Sequence, residues 1–68
     1  MNAKEIGNRL RELRGVYRSQ AEVAEAVGVT PAAVSLYETG ERIPSDEVKL
    51  RLAKFYGVTV QELFFASE

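Results

Sequence analysis

The side chains of this chain that can do chemistry are charged, amide and hydroxyl groups. Neither histidine nor cysteine is among them. That removes the commonest general base, the commonest zinc ligand and every thiolate. No set of carboxylates converges by spacing, so no catalytic residue, no metal site and no cofactor is expected. What remains is recognition through charge and hydrogen bonds. Lys4, Arg9, Arg11, Arg14 and Arg18 face only Glu5 and Glu12 in residues 1–20, a net charge of +3. Residues 21–68 carry four basic groups against eight acids, a net charge of −4. The total of −1 and a pI of about 5.4 therefore average over a basic first segment and an acidic remainder. An anionic partner belongs with the basic part.

The basic segment leads directly into the most informative stretch, Gln20 to Tyr37. Ser19 and Glu22 have the spacing of a capping box, in which each side chain bonds the other residue's free amide. A helix that starts there turns its positive end and unpaired amides toward Gln20, a setting that favours an anion. Val23, Ala24 and Val27 form the inner stripe of this helix, and Gly28 closes it. Thr30 caps the next helix, Pro31 occupies its first turn, where a missing amide costs nothing, and Val34 and Tyr37 point inward. Two helices joined only by Gly28, Val29 and Thr30 must cross steeply, and Ala24 is small enough for the close approach. This is the helix-turn-helix pattern, whose second helix enters the DNA major groove.

The flanking elements are as legible. Asn2 and Glu5 make a further capping box, followed by a stripe at Ile6, Leu10 and Leu13 that Gly15 ends. Gly40 ends the third helix. Ser45, with Asp46 and Glu47 in the first turn, starts a fourth that carries Leu52, Ala53 and Tyr56 and stops at Gly57. Thr59 and Glu62 open a short fifth with Leu63 and Phe64. Gly7 is the one glycine not at a helix end. No segment alternates as a strand does, so the expected fold is all-α, a single domain over residues 1–68. The apolar runs are far shorter than the roughly 20 residues of a membrane span, and no export signal is apparent. A cytoplasmic protein with no membrane and no small-molecule partner is expected. With the fifth helix ending a few residues before Glu68, no sensor domain is expected either.

Taken together, Ser19, Gln20, Val23, Ala24, Val27, Gly28, Val29, Thr30, Val34, Ser35, Glu38, Gly40, Arg42 and Pro44 resemble the phage-repressor and Cro-type helix-turn-helix domain, the XRE family. Leu52, Ala53, Gly57, Val58, Glu62, Leu63 and Phe64 match the family's close, and the resemblance covers about residues 5–65. It implies a compact five-helix, lambda-repressor-like bundle from a bacterium, an archaeon or a phage. It further implies a regulator, typically a repressor, that binds double-stranded DNA as a homodimer on a palindromic operator. Gln20, with Ser19, Arg18 and Arg14, would meet phosphates, as would Arg42 in the loop after the third helix. Arg14 and Glu38 would form an ion pair tying the first helix to the third. Base reading would fall to the outer face of the third helix, here Thr30, Pro31, Ala32, Ala33, Ser35, Leu36 and Thr39.

That face departs from the family. It lacks the Gln, Arg, Asn or Lys side chains that make bidentate base contacts. It offers hydroxyls and methyl groups, suited to thymine methyls, water bridges and DNA shape. The same apolar face supports the competing reading, a protein-interaction module that keeps the fold without operator binding. The connection from Arg14 to Gln20 is also about one residue shorter than usual, which bears on the Arg14–Glu38 pairing. Leu50, Phe55, Phe64 and Phe65 supply candidate dimer contacts, one of the last two being expected in the core. An RNA-binding role stays open as a further alternative, but exposed stacking aromatics in a basic setting, which it would use, are not expected.

Overall fold

The computed structural model describes residues 2–65. It contains α1 (Ala3–Arg14), α2 (Gln20–Val27), α3 (Pro31–Thr39), α4 (Asp46–Tyr56) and a fifth helix, Gln61–Phe65, wound as a single π-helical segment. No strand occurs among the described residues.

Each helix begins where a short polar side chain can accept a free amide. Asn2 Oδ1 accepts the Glu5 N–H at 2.8 Å, and Glu5 Oε1 returns the bond to the Asn2 N–H at 3.1 Å. Ser19 and Glu22 form the same reciprocal pair at 3.0 and 2.7 Å. Thr59 and Glu62 do so at 2.9 Å in both directions. Thr30 and Ser45 cap α3 and α4 by accepting the N–H of Ala33 and Val48. Each such cap contributes about 0.5–2 kcal/mol. The Glu62 carboxyl, held by the Thr59 amide and then by its hydroxyl, is kept below its ordinary pKa.

The core draws on every helix. Ile6 and Leu10 of α1 meet Val23, Ala24 and Val27 of α2, Ala33, Val34 and Tyr37 of α3, Val48, Leu52 and Ala53 of α4, and Leu63 and Phe64 of the fifth helix. Leu13, Val29, Phe55, Tyr56, Val58 and Val60 pack around its edge. Ala24 is buried at the α2–α3 crossing, as the short turn demands. The amides of Gly28 and Val29 both donate to the Ala24 carbonyl, at 2.9 and 3.0 Å, and so close α2. From α4, Arg51 donates to the Val27 carbonyl at 3.3 Å and pairs with Glu47 at 2.6 Å, tying α4 to the end of α2.

Gly7 finds its reason in this packing. A Cβ built there would lie 2.4 Å from the Glu38 carbonyl oxygen and 2.7 Å from that of Tyr37. Bare backbone of α1 therefore rests on the last turn of α3. At the start of α1, a Cβ on Gly40 would come within 2.9 Å of the Lys4 Cα. These two contacts seat α3 on α1 along its C-terminal half.

Candidate nucleic-acid interface

The orientation of α3 follows from which of its residues are buried. Ala33, Val34, Tyr37 and Glu38 turn inward, a helical spacing that leaves Pro31, Ala32, Ser35, Leu36 and Thr39 on the other side. Thr30, Pro31, Ala32 and Thr39 are exposed, and Ser35 and Leu36 are half-exposed. Ala33 is a correction to the expected reading face. It is 8% exposed, part of the core, and its amide bonds the Thr30 cap. Its methyl fills the gap between α3 and its neighbours and is not available to a partner.

The hydroxyls on this face are not equally free. That of Thr39 lies 3.2 Å from the Leu36 carbonyl and 3.0 Å from a Glu41 carboxylate oxygen, one of which takes its single proton. The Thr30 oxygen is used as a cap but keeps its own proton to donate. The free face thus consists of the Pro31, Ala32 and Leu36 apolar groups with the Ser35 and Thr30 hydroxyls.

Behind it lies a buried charge network. The Glu38 side chain is 1% exposed. Its Oε2 accepts from Arg14 Nε at 2.7 Å, and its Oε1 accepts from Arg14 NH2 and from Gln20 Nε2, both at 3.0 Å. Arg14 NH1 also donates to the Arg18 carbonyl at 3.0 Å. The shorter connection between α1 and α2 does not prevent the Arg14–Glu38 pair. It brings the Arg18 carbonyl within reach of the same guanidinium. Arg14 is held above its ordinary pKa, chiefly by the Glu38 hydrogen bonds. Tyr56, half-buried nearby, is also pushed up, first by burial and then by the Glu38 charge. A buried carboxylate this well partnered costs most when a partner is removed. The network therefore fixes the relative placement of α1, the start of α2 and α3.

The remaining predicted anion contacts scatter. Gln20 sits at the first turn of α2, with one amide proton on Glu38 and the rest of its amide uncommitted. Ser19 is exposed and serves as the α2 cap. Arg42 is exposed and takes part in no ion pair among the described residues. Its loop is anchored to α3, because the amides of Glu41 and Arg42 both donate to the Leu36 carbonyl. The guanidinium of Arg18 lies 5.2 Å from the Phe55 ring centre, over α4 and apart from the Glu38 network. It borders an open groove of about 400 Å³ with Glu22, Glu25, Ala26 and Phe55.

The candidate dimer contacts divide. Phe64 is 3% exposed and belongs to the core, so it is not available at the surface. The winding of the fifth helix turns Leu63 and Phe64 inward together and leaves Phe65 56% exposed. Leu50 is 62% exposed, and it lines a shallow groove with Asp46, Lys49, Val60 and Phe65. Lys49 Nζ lies within 5.6 Å of the Phe64 and Phe65 ring centres. Phe55 is half-buried, edge-on to Tyr56 at 5.0 Å. One exposed aromatic does stand next to a basic residue in sequence: Tyr17, which precedes Arg18, is 94% exposed.

Sequence reasoning missed the contacts of Gly7, Arg51 and Lys49. Gly7 left a signal, and so did the Glu47–Arg51 spacing of four on one helix. A glycine in the middle of a helix sacrifices about 1 kcal/mol relative to alanine unless a close contact requires it.

Residues 5–64 match the profile of a family described as a helix-turn-helix domain. The cryptic phage CTXphi transcriptional repressor RstR of Vibrio cholerae is 43% identical over 65 residues, which is 93% of this chain and 58% of that protein. The chain thus spans little more than half the length of that relative. The restriction-modification controller protein C.AhdI from Aeromonas hydrophila has a TM-score of 0.83 at 35% identity, covering 91% of this chain and 96% of its own. The P22 c2 repressor protein, solved in complex with a synthetic operator, has a TM-score of 0.85 at 30% identity, again covering 91% and 96%.

Proposed function

The chain belongs to the helix-turn-helix domain family of phage-repressor and Cro type, and from that premise we propose that it is a sequence-specific double-stranded DNA-binding regulator, a repressor in its simplest form. The observation that carries this reading is the state of α3. Its inner half is locked to α1 and α2 through Gly7 and the Arg14–Glu38–Gln20 network, while its outer face is left open. A rigid helix with one free face is what groove insertion needs. Gln20, Ser19 and the exposed Arg42 supply phosphate contacts, and Arg18 joins them by leaving the Phe55 ring. Arg14 contributes mainly by holding Glu38, and has further N–H donors for a phosphate.

Base discrimination then rests on Pro31, Ala32 and Leu36 against thymine methyls and on the Thr30 and Ser35 hydroxyls. With no bidentate reader, DNA shape and water bridges carry much of the preference. A homodimer on a palindromic operator compensates for a modest half-site by doubling it. Leu50 and Phe65 are its contact surface, and the two α3 helices would lie about 34 Å apart, one DNA turn. The protein would act in the cytoplasm, on the chromosome or on phage DNA. The apolar outer face of α3 is also the feature behind the competing reading, a protein-interaction module that keeps the fold.

Selection of bound duplexes from a random library, followed by mobility shifts over a salt series, separates the two. A DNA reader enriches a two-fold symmetric site and loses affinity steeply with salt. Arg42→Ala should weaken binding to all duplexes alike and lower the salt slope by about one. Failure to retain any duplex at low salt would sink the DNA reading and favour the protein-partner module.

A further inference from the structure

The turn between α1 and α2 carries two side chains that the fold does not use. Val16 is 90% exposed and Tyr17 is 94% exposed, although both are apolar enough to gain from burial. The turn that presents them is firmly held. Gly15 adopts φ 66° and ψ −160°, a region closed to residues with a Cβ. On the far side, the Arg18 carbonyl accepts the Arg14 NH1 bond, and Arg14 is itself clamped by Glu38. Ser19 and Glu22 then fix the start of α2. An aromatic on so constrained a backbone loses little entropy when it meets a partner.

The surroundings say which partner. Arg11 and Arg18 stand within the same stretch, with Glu12 the only acid between Ile6 and Gln20, while the Arg14 charge is taken up by Glu38 and the Arg18 guanidinium rests on the Phe55 ring. A protein partner would have to be acidic as well as apolar to fit there. A nucleic-acid backbone is polyanionic and carries apolar sugar faces. The turn also adjoins Gln20, which the proposed function sets against phosphate. Since α3 is poor in polar readers, further backbone contacts are needed to hold it in register.

We propose that Tyr17 is a DNA-backbone contact of this protein, its phenol donating a hydrogen bond to a phosphate beside the one met by Gln20. The contact positions the domain and reads no base. It rests on the DNA-binding reading, so the test must separate the two.

The experiment uses the full chain and two labelled duplexes, the one enriched by selection and a scrambled one of equal length. Anisotropy titrations compare wild type, Tyr17→Phe and Arg42→Ala over a salt series. Tyr17→Phe removes only the hydroxyl of an exposed ring, so folding is unaffected, which circular dichroism checks. It should weaken both duplexes by a similar factor, roughly ten- to a hundredfold, the usual effect of one hydrogen bond to a charged group. Its salt slope should equal that of wild type, because no charge is lost, whereas Arg42→Ala lowers the slope. Wild-type affinity in Tyr17→Phe, with wild type binding normally, overturns the contact and leaves the DNA reading standing. A loss confined to the selected duplex also overturns it, since Tyr17 would then act on base preference. If wild type binds neither duplex, the DNA reading fails and the proposal fails with it.

Discussion

Replacing Gly7 by alanine tests the central packing contact of this domain. In isolation the change should help, because alanine in a helix interior is favoured over glycine by about 0.8–1.0 kcal/mol. The structure opposes it. The new methyl would sit 2.4 Å from the Glu38 carbonyl oxygen, 2.7 Å from that of Tyr37 and 2.8 Å from the Glu38 carbonyl carbon. A carbon–oxygen contact needs about 3.3 Å, so α1 and α3 must separate locally by roughly 0.9 Å. All three obstructing atoms are backbone, and no rotamer change can move them aside. Overpacking of this kind costs about 1–3 kcal/mol and sometimes more, and the rigid partners place it at the upper end. After the helix gain is set against it, a net loss of about 2 kcal/mol remains. For a domain of this size that lowers Tm by roughly 4–8 °C per kcal/mol. The displaced residue is Glu38 itself, so the strain also pulls on its bonds to Arg14 and Gln20. Urea unfolding followed by circular dichroism is the direct assay, with a lower midpoint and an unchanged slope expected. An unchanged or raised midpoint would show that the methyl is accommodated, and that α1 does not bear on the α3 backbone as described.

Arg14→Ala leaves a carboxylate that is 1% exposed with only Gln20 as partner, and should cost about 3 kcal/mol in urea unfolding. Adding Glu38→Gln should recover part of that loss; a double variant no better than Arg14→Ala would mean that the buried charge is not the cause. Phe64→Ala should cost about 3–5 kcal/mol as a core truncation. Phe65→Ser should leave Tm nearly unchanged and instead weaken self-association in sedimentation; the reverse pattern would exchange their roles. Tyr56 is raised by burial and by Glu38, so the folded state disfavours its phenolate. Its contribution to stability is complete below the unfolded value of about 10 and is lost as pH rises through and beyond it. Tm measured from pH 8 to 11 should therefore fall more steeply for wild type than for Tyr56→Phe, and parallel curves would contradict the assignment.

Much of the fold is legible because helix ends are local events. Asn2 with Glu5, Ser19 with Glu22, and Thr59 with Glu62 each close hydrogen bonds three residues apart, and such bonds depend on nothing distant. The inner stripes at Ile6, Leu10, Val23, Val27, Val34 and Leu52 follow from helical period, and all are buried. The need for a small residue at Ala24 follows from a three-residue turn. Likeness to the family added the Arg14–Glu38 pair, which composition and spacing do not reveal.

The candidate site was less legible where neighbours on a helix compete for the same interior. Ala32 and Ala33 are chemically identical, yet one is exposed and the other buried. Only the rotation of α3 against α1 and α2 decides between them. Phe64 and Phe65 pose the same choice, settled by the π-helical winding of the last segment. The sequence points the Gln20 amide at phosphate, yet one of its protons goes to Glu38, eighteen residues away in sequence. The side chain of Arg18 went to Phe55 for a similar reason, since an aromatic ring from α4 lies within its reach.

The sequence by itself determined where the helices start and stop, which stripes they bury, and that two of them meet across a tight turn. Those features depend on bonds and periodicities within a few residues. Tertiary structure alone decided that Gly7 is the seat of α3, that Gln20 joins Arg14 on the buried Glu38, and that Tyr17 stands exposed. Each of those outcomes depends on the distance and rotation between helices, which packing of the whole core sets at once.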